Sequence, residues 1–212
     1  MKITDTIYQV DDVVGNPAIL LSYEGVVLID AGVPGVEQKI FTLIESLGRR
    51  STDIKHILLT HSDGDHIGSL PALVRATGAR VYAQALEAEV VEGKRKSRGG
   101  QIVSEPVHVD QIVKDGDVLP LLGGIRVVES FGHTVGHVYY YVMAQDLLIA
   151  GDSLNNTNGL NGSNPQFTAD PEQAKQAVKK LAGLAPGAIC FGHGPAIASG
   201  AATRLKELAA TY

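Results

Sequence analysis

The sequence predicts an α/β fold in a single domain over residues 1–212, and two observations lead to it. Short apolar runs of strand type alternate with segments whose apolar residues recur at helical spacing. Strands come first and helices follow in both halves of the chain, so we expect two sheets with helices on their outer faces. A chain of 212 residues is long enough for one well-buried domain of this kind.

In the first half, the turn-forming pairs Asn16-Pro17 and Glu24-Gly25 separate the predicted strands. A helix follows in which apolar residues recur at helical spacing until Gly48 ends it. We predict strands over 3–10, 18–23, 26–29, 54–59 and 80–83, and helices over 36–47, 68–77 and 85–92.

The second half begins after the most polar stretch of the chain, residues 93–105, and is rich in strand-type runs. Asp170 is the predicted cap of a later helix, because Pro171 stands in the first turn and Gln173 completes a capping box. We predict a β-rich region over 107–150, a helix from 170 to about 184, a strand over 188–191 and a helix over 198–210.

Charge and composition exclude several classes of function. The net charge of −5 gives no overall attraction to nucleic acid or to an anionic membrane. The single cysteine, Cys190, permits no internal disulfide and lies in an apolar strand-type run. No secretory signal is apparent at Met1, and no apolar stretch reaches the length of a membrane helix. We therefore expect a cytoplasmic protein that acts on a small molecule, without nucleic acid or membrane partners. Whether it forms a homo-oligomer is left open by the sequence.

Histidine and aspartate side chains concentrate in the segment Thr60 to His66, which follows a predicted strand and precedes a helix. Three later motifs also follow strand-type runs: Gly132 to His137, Gly151-Asp152 and Gly192 to Gly194. Neutral imidazoles and carboxylates are ligands of divalent metals, and two metals with a shared bridge need about six or seven of them. The motifs supply a set of that size: His61, Asp63, Asp65, His66, His133, Asp152 and His193.

In their order along the chain these motifs resemble the metallo-β-lactamase superfamily, and the early segment 28–32 matches that family's Leu-Ile-Asp-x-Gly strand end. The resemblance implies an αββα four-layer sandwich with two divalent metals at one edge. It places His61 and His133 on the first metal, and Asp65, His66 and His193 on the second, with Asp152 as the bridge. The implied activity is hydrolysis by a hydroxide shared between the metals, in which Asp65 also accepts a proton.

Asp63 departs from the family pattern, since most members with these motifs carry histidine there. A carboxylate is a harder donor than imidazole, so manganese and iron become alternatives to zinc as the native metal. The flavodiiron branch places a glutamate at the equivalent position, which leaves a diiron redox or oxygen-sensing protein as an alternative function. That branch carries a flavin domain, and none is predicted in these residues. A weakened or vacant first site, and a metal-binding module without turnover, are further alternatives.

Other polar residues receive supporting roles. We expect Asp30 to order the loops beneath the metals through hydrogen bonds, and His137 to contact either the metal ligands or the substrate. The basic run from Lys94 to Arg98 is interpreted as a solvated loop, with an anionic substrate as the alternative. Glutathione-thioester and RNA-processing branches add domains that are not predicted here, and exported β-lactamases lack the bridging aspartate. We expect a small hydrolase of an ester, thioester, lactone or phosphoester.

Overall fold

The computed structural model describes residues 1–101 and 103–212, so the polar stretch 93–105 is described apart from residue 102. Its contacts divide the chain into two compact units, Met1–Val113 and Lys114–Tyr212. Each unit contains a sheet and its own helices. The prediction of one domain over the whole chain stays a prediction.

A six-stranded mixed sheet forms the first unit, with its strands in sequence order. The first three strands pair antiparallel, and the strands from β3 to β6 pair parallel. Parallel strands are covered on both faces, which agrees with the complete burial of the apolar strand β3. The strands are β1 (Ile7–Gln9), β2 (Ala18–Leu21), β3 (Val26–Ile29), β4 (Ile54–Leu58), β5 (Arg80–Gln84) and β6 (Gln111–Val113).

Among the described residues of this unit there are four α-helices: α1 (Glu37–Ser46), α2 (Gly64–Ile67), α3 (Leu70–Thr77) and α4 (Ala85–Val91). Helix α1 buries Ile40 and Ile44, one helical turn apart, in the core that also contains Leu28 and Ile57 of the sheet. An isolated helix of this length is marginally stable in water, so α1 depends on the burial of this apolar face.

Strand β1 is shorter than predicted, because the chain turns before it. The hydroxyl of Thr4 accepts hydrogen bonds from the backbone N–H groups of Thr6 and Ile7 at 3.2 and 3.0 Å. A threonine side chain that bonds its own following backbone competes with strand pairing. The apolar residue Ile3 therefore belongs to a turn and not to the strand.

The second unit contains a five-stranded sheet with the order β13-β10-β9-β8-β7 and a separate small hairpin, β11-β12. Strands β10 and β13 are parallel, and the other neighbours in the sheet are antiparallel. The strands are β7 (Val118–Leu119), β8 (Ile125–Glu129), β9 (Val138–Val142), β10 (Leu147–Ile149), β11 (Leu154–Asn155), β12 (Asn161–Gly162) and β13 (Ala188–Cys190).

Two helices, α5 (Pro171–Ala182) and α6 (Ala201–Ala209), pack in this unit with buried residues that include Val178, Leu181 and Leu205. Asp170 caps α5 as predicted, since its Oδ1 accepts from the N–H groups of Glu172 and Gln173. In a complete capping box the Gln173 side chain would accept a hydrogen bond from the Asp170 N–H. Here the Asp170 N–H donates to the Gly132 carbonyl instead, at 2.8 Å. This bond ties the start of α5 to the loop of the Gly132 to His137 motif.

Among the residues that the structure describes, no helix combines the length and apolar character that a bilayer crossing requires.

Candidate metal centre

The first group of predicted ligands lies where β4 ends, and the structure corrects one detail of its placement. His61 and Asp63 are on the loop after the strand, whereas Asp65 and His66 are on the single helical turn α2. The His61 and His66 rings lie 4.0 Å apart between centroids. Asp63 Oδ2 lies 3.8 Å from His61 Nε2, and Asp65 Oδ2 lies 3.8 Å from His66 Nε2. The four residues therefore form two close imidazole–carboxylate pairs.

Asp30 organises both histidines of this group. The residue is buried at the end of β3 with a positive φ of 60°, and its carboxylate accepts three hydrogen bonds. These come from the Thr60 N–H at 2.8 Å, the Thr60 hydroxyl at 2.7 Å and His66 Nδ1 at 2.8 Å. Because the Thr60 hydroxyl proton points to Asp30, its oxygen accepts from His61 Nδ1, 3.0 Å away. One carboxylate thus orients His66 directly and His61 through Thr60.

A second buried carboxylate, Glu87 on α4, holds the same loop one residue further along. Its Oε2 accepts from the Ser62 N–H at 2.9 Å and from the Ser62 hydroxyl. Glu87 was not predicted as a functional residue, although the sequence contains a signal: Glu87 stands four residues before the buried Val91, on the same face of a helix. Thr60 and Ser62 are therefore both tied to buried acids, which fixes the backbone on either side of His61.

The predicted ligands of the second unit centre on Asp152. Its Oδ2 lies 3.0 Å from His193 Nε2 and 3.7 Å from His133 Nε2. His133 is buried, and its Nδ1 contacts the Ser163 hydroxyl at 2.9 Å. One carboxylate oxygen therefore faces the same nitrogen of two histidines.

The backbone around His133 is held by the start of α5. The Ala169 N–H donates to the His133 carbonyl at 3.1 Å, beside the Asp170 bond to Gly132. Gly132 has a φ of 133°, and a Cβ there would lie 2.3 Å from the Ala174 nitrogen. Only glycine permits this close approach, so it sets the position of the adjacent histidine.

His193 follows β13 and is held in a similar way. The Asn156 N–H donates to the His193 carbonyl at 3.0 Å, and the Asn156 amide donates to the Pro195 carbonyl at 2.6 Å. A Cβ at Gly194 would lie 2.4 Å from the Asn156 carbonyl carbon. The His193 loop is thus packed on the segment that follows Asp152.

His137 is completely buried and contacts the backbone beside the central carboxylate. Its Nε2 accepts from the Asp152 N–H at 3.2 Å, so Nδ1 carries the proton and faces the Ser153 hydroxyl at 3.2 Å. Ser153 in turn contacts the Ser130 hydroxyl at 2.7 Å. These contacts position Asp152, and the substrate-binding role of His137 stays a prediction.

The donor chemistry of both groups suits divalent metals. His61 and His66 each donate from Nδ1 to an acceptor, so the lone pair of the neutral ring is on Nε2. Metal-binding histidines in proteins are held by just such a bond from the other ring nitrogen. Each unit therefore offers imidazole and carboxylate groups that could hold metal ions, and all seven predicted ligands are among these groups.

Cys190 lies in a strand, as the apolar run around it predicts. It is buried in β13, and burial raises the pKa of its thiol to about 12. A thiol with that pKa is protonated at neutral pH and is a poor nucleophile or ligand.

Two curated relatives illustrate what the chain is similar to. A hydroxyacylglutathione hydrolase of Rhodobacter capsulatus is 32% identical over 160 residues, which cover 74% of this chain and 55% of that protein. The probable metallo-hydrolase YflN of Bacillus subtilis is 30% identical over an alignment of 214 positions, which covers 86% of this chain and 81% of that protein. The chain spans about half the length of the hydroxyacylglutathione hydrolases it matches.

Solved structures show the same fold. The metallo-β-lactamase family protein TTHA1429 from Thermus thermophilus has a TM-score of 0.76 at 22% identity, covering 99% of this chain and 80% of that one. The di-iron-bound form of TTHA1623 has a TM-score of 0.70 at 29% identity, covering 90% and 92%. The fold class predicted from the sequence is therefore confirmed. The family model of the metallo-β-lactamase superfamily matches residues 11–193, and the chain belongs to that superfamily.

Proposed function

We propose that the protein is a binuclear metal-dependent hydrolase of a small-molecule ester, thioester, lactone or phosphoester. The observation that carries the proposal is the placement of Asp152, whose Oδ2 faces Nε2 of both His133 and His193. The family resemblance assigns these two histidines to different metals. A carboxylate between them is the arrangement that a bridging ligand requires.

The proposed ligands divide into two sets with Asp152 shared. His61, Asp63 and His133 hold the first ion, and Asp65, His66 and His193 hold the second. Zinc is the first expectation, with manganese or iron as alternatives because Asp63 supplies a hard oxygen donor. When bound, two such ions supply an acidified water that acts as the nucleophile near neutral pH.

The chain's own groups have the remaining tasks. Asp65 is the proposed acceptor of the proton that leaves the attacking water, and its side chain is 28% exposed, so solvent can take the proton onward. Asp30 keeps His61 and His66 oriented through the three hydrogen bonds to its carboxylate. His137 keeps the Asp152 backbone in place.

A cavity of about 500 Å³ in the second unit supports a polar, uncharged substrate. Asp152 and His193 line it together with four asparagines, Asn155, Asn158, Asn161 and Asn164, and with Phe167 and Tyr212. Apart from Asp152 and His193, the side chains of this lining carry no charge. Amides and hydroxyls of this kind suit the carbonyl and hydroxyl groups of an ester or lactone, and the two aromatic rings suit an apolar substituent.

The basic run gives less support to an anionic substrate. Lys94 Nζ lies 2.5 Å from Glu92, Arg95 lies 3.9 Å from Glu89, and Arg98 pairs with Asp63. Three of its positive charges are therefore opposed by acids of the same unit, which reduces the field that an anion would meet.

The alternative function is a diiron redox or oxygen-sensing protein. Asp63 favours it, as does the 29% identity to TTHA1623, whose structure was solved in a di-iron-bound form. Metal analysis after anaerobic purification separates the two functions: bound iron with visible absorption supports redox chemistry, and zinc or manganese supports hydrolysis.

The hydrolase is tested with the metal-loaded protein on p-nitrophenyl esters, thioesters, lactones and phosphodiesters. Asp152→Ala should abolish turnover, because it removes the bridge and leaves the two cations without a shared counter-charge. Asp115→Ala is the matched control, since it removes an aspartate of the same unit that pairs with the exposed Lys180. Near-native rates in Asp152→Ala, or no turnover of any substrate by wild type, contradict the proposal.

A further inference from the structure

Asp63 occupies an unusual position for an aspartate. It is the loop residue immediately before the helical turn α2, and the N–H groups of His66 and Ile67 donate to its backbone carbonyl. An aspartate there normally caps the helix with its side chain. The Asp63 carboxylate makes no such cap bond. It is turned instead toward His61 on one side and a guanidinium on the other.

That guanidinium belongs to Arg98. Its Nη2 donates to Asp63 Oδ2 at 2.7 Å, and the same oxygen lies 3.8 Å from His61 Nε2. The pair lies at the surface and is partly covered, with side-chain exposures of 30% for Arg98 and 19% for Asp63. Partial burial makes the interaction between the two charges stronger than at an open surface.

The segment that carries Arg98 is fixed on both sides. At its base, the Val107 N–H donates to the Val91 carbonyl at 2.9 Å, and at its tip the Gly100 N–H donates to the Ser97 carbonyl at 2.8 Å. Val103 packs against the core of the first unit, and a Cβ at Gly64 would lie 3.4 Å from its side chain. Val103 therefore packs beside Gly64, the residue next to Asp63. This packing holds Arg98 close to the Asp63 carboxylate.

Charge explains what the contact does. A histidine in place of Asp63 would be a neutral ligand, whereas Asp63 alone adds a negative charge beside His61. We propose that Arg98 cancels this charge, so that the Asp63–Arg98 pair presents the first metal with the net charge of a neutral imidazole and an oxygen donor. Arg98 is then a positioning residue that lowers the affinity of the first site for dications and tunes its selectivity. The inference rests on the proposed function, because it requires Asp63 to be a ligand.

The experiment titrates metal-free protein with Mn²⁺ alone and follows free Mn²⁺ by its paramagnetic resonance signal. The first site is the binding step that His61→Ala removes. Arg98→Gln removes the positive charge and keeps an N–H donor, so it should raise the Mn²⁺ affinity of that step by about fivefold or more. Arg98→Lys keeps the charge and should stay within about twofold of wild type, as should Arg95→Gln, the control from the same segment.

A double-mutant cycle tests whether Arg98 acts through Asp63. In an Asp63→His background the guanidinium loses its carboxylate partner, so Arg98→Gln should change the affinity by less than about twofold. An unchanged affinity in Arg98→Gln, or an equal fall in Arg98→Gln and Arg98→Lys, overturns the charge role while two-site binding by wild type keeps the proposed function. A wild type that binds no metal rejects both. Circular dichroism of each variant checks that the fold is retained.

Discussion

At the scale of single residues, the arrangement depends on groups that touch no proposed metal. Asp30, Glu87, Ser163 and Arg98 each contact a predicted ligand or its neighbour in the loop. Their partners lie far away in sequence, with separations of 36, 25, 30 and 35 residues. Of these four residues, Asp30 was predicted from the sequence to order the loops, because it stands in a recognisable motif.

Asp30→Asn should lower metal affinity by about 10- to 100-fold, the usual cost of losing a partner that orients a metal ligand. An asparagine has one acceptor oxygen, whereas Asp30 accepts from Thr60 and His66 with both. Zinc affinity measured by chelator competition checks this. Asp12→Asn, an exposed change in the same unit, is the control. Equal affinities in the two variants would show that Asp30 has no orienting role.

At the scale of elements, each loop that carries predicted ligands is attached to the start of a helix or to a neighbouring loop. The loop of His133 packs on the first turn of α5, through the bond from Asp170 to the Gly132 carbonyl and through the contact of Gly132 with Ala174. The cap of α5 is predictable from the sequence because Asp-Pro is a strong local signal. The partner of the Asp170 N–H is not, because it depends on tertiary packing.

Gly132→Ala should destabilise the protein by about 1–3 kcal/mol, because the new Cβ must displace backbone of α5. It should also weaken metal binding, since the His133 backbone has to move. Urea unfolding of the metal-free protein and a zinc titration measure the two effects.

Gly159→Ala separates the steric contact from backbone strain. Gly159 lies in the same unit with a φ of 93°, yet a Cβ there meets no atom within 4 Å. The control should therefore lose stability and keep its metal affinity. If both alanine variants bind zinc equally well, the contact with Ala174 does not position His133.

At the scale of the whole molecule, the sequence predicted the fold class and most elements well. The apolar periodicity of α1, the capping residues of α5 and the ordered motifs at strand ends are local signals. Errors arose where a local side chain competed with the pattern, as Thr4 does before β1. They also arose where a motif folds into a helical turn too short to have a period, as α2 does. The division of the contacts into two units has no signature in composition, because no linker separates them.

Metal removal tests the proposed centre at this scale. Ligands that bind only the folded state stabilise it, by about 2.7 kcal/mol for one site at 100 times its dissociation constant. For a chain of this size, chelation should therefore lower Tm by roughly 5–10 °C per saturated site. Differential scanning calorimetry with and without EDTA measures the shift, and apo protein treated with EDTA is the control. An unchanged Tm after removal of bound zinc would contradict ligation by the folded protein.

The hydroxyl of Ser163 links two parts of the second unit. It contacts His133 Nδ1, receives a hydrogen bond from the Thr168 hydroxyl at 2.8 Å, and lines the cavity beside Asp152. We expect a molecule in that cavity that engages Ser163 to compete with His133 for this hydroxyl. Thermodynamic reciprocity then applies: whatever factor the cavity ligand exerts on metal affinity, the metal exerts on the ligand's affinity. Substrate recognition and metal retention would become one coupled equilibrium, with Ser163 as the point of coupling.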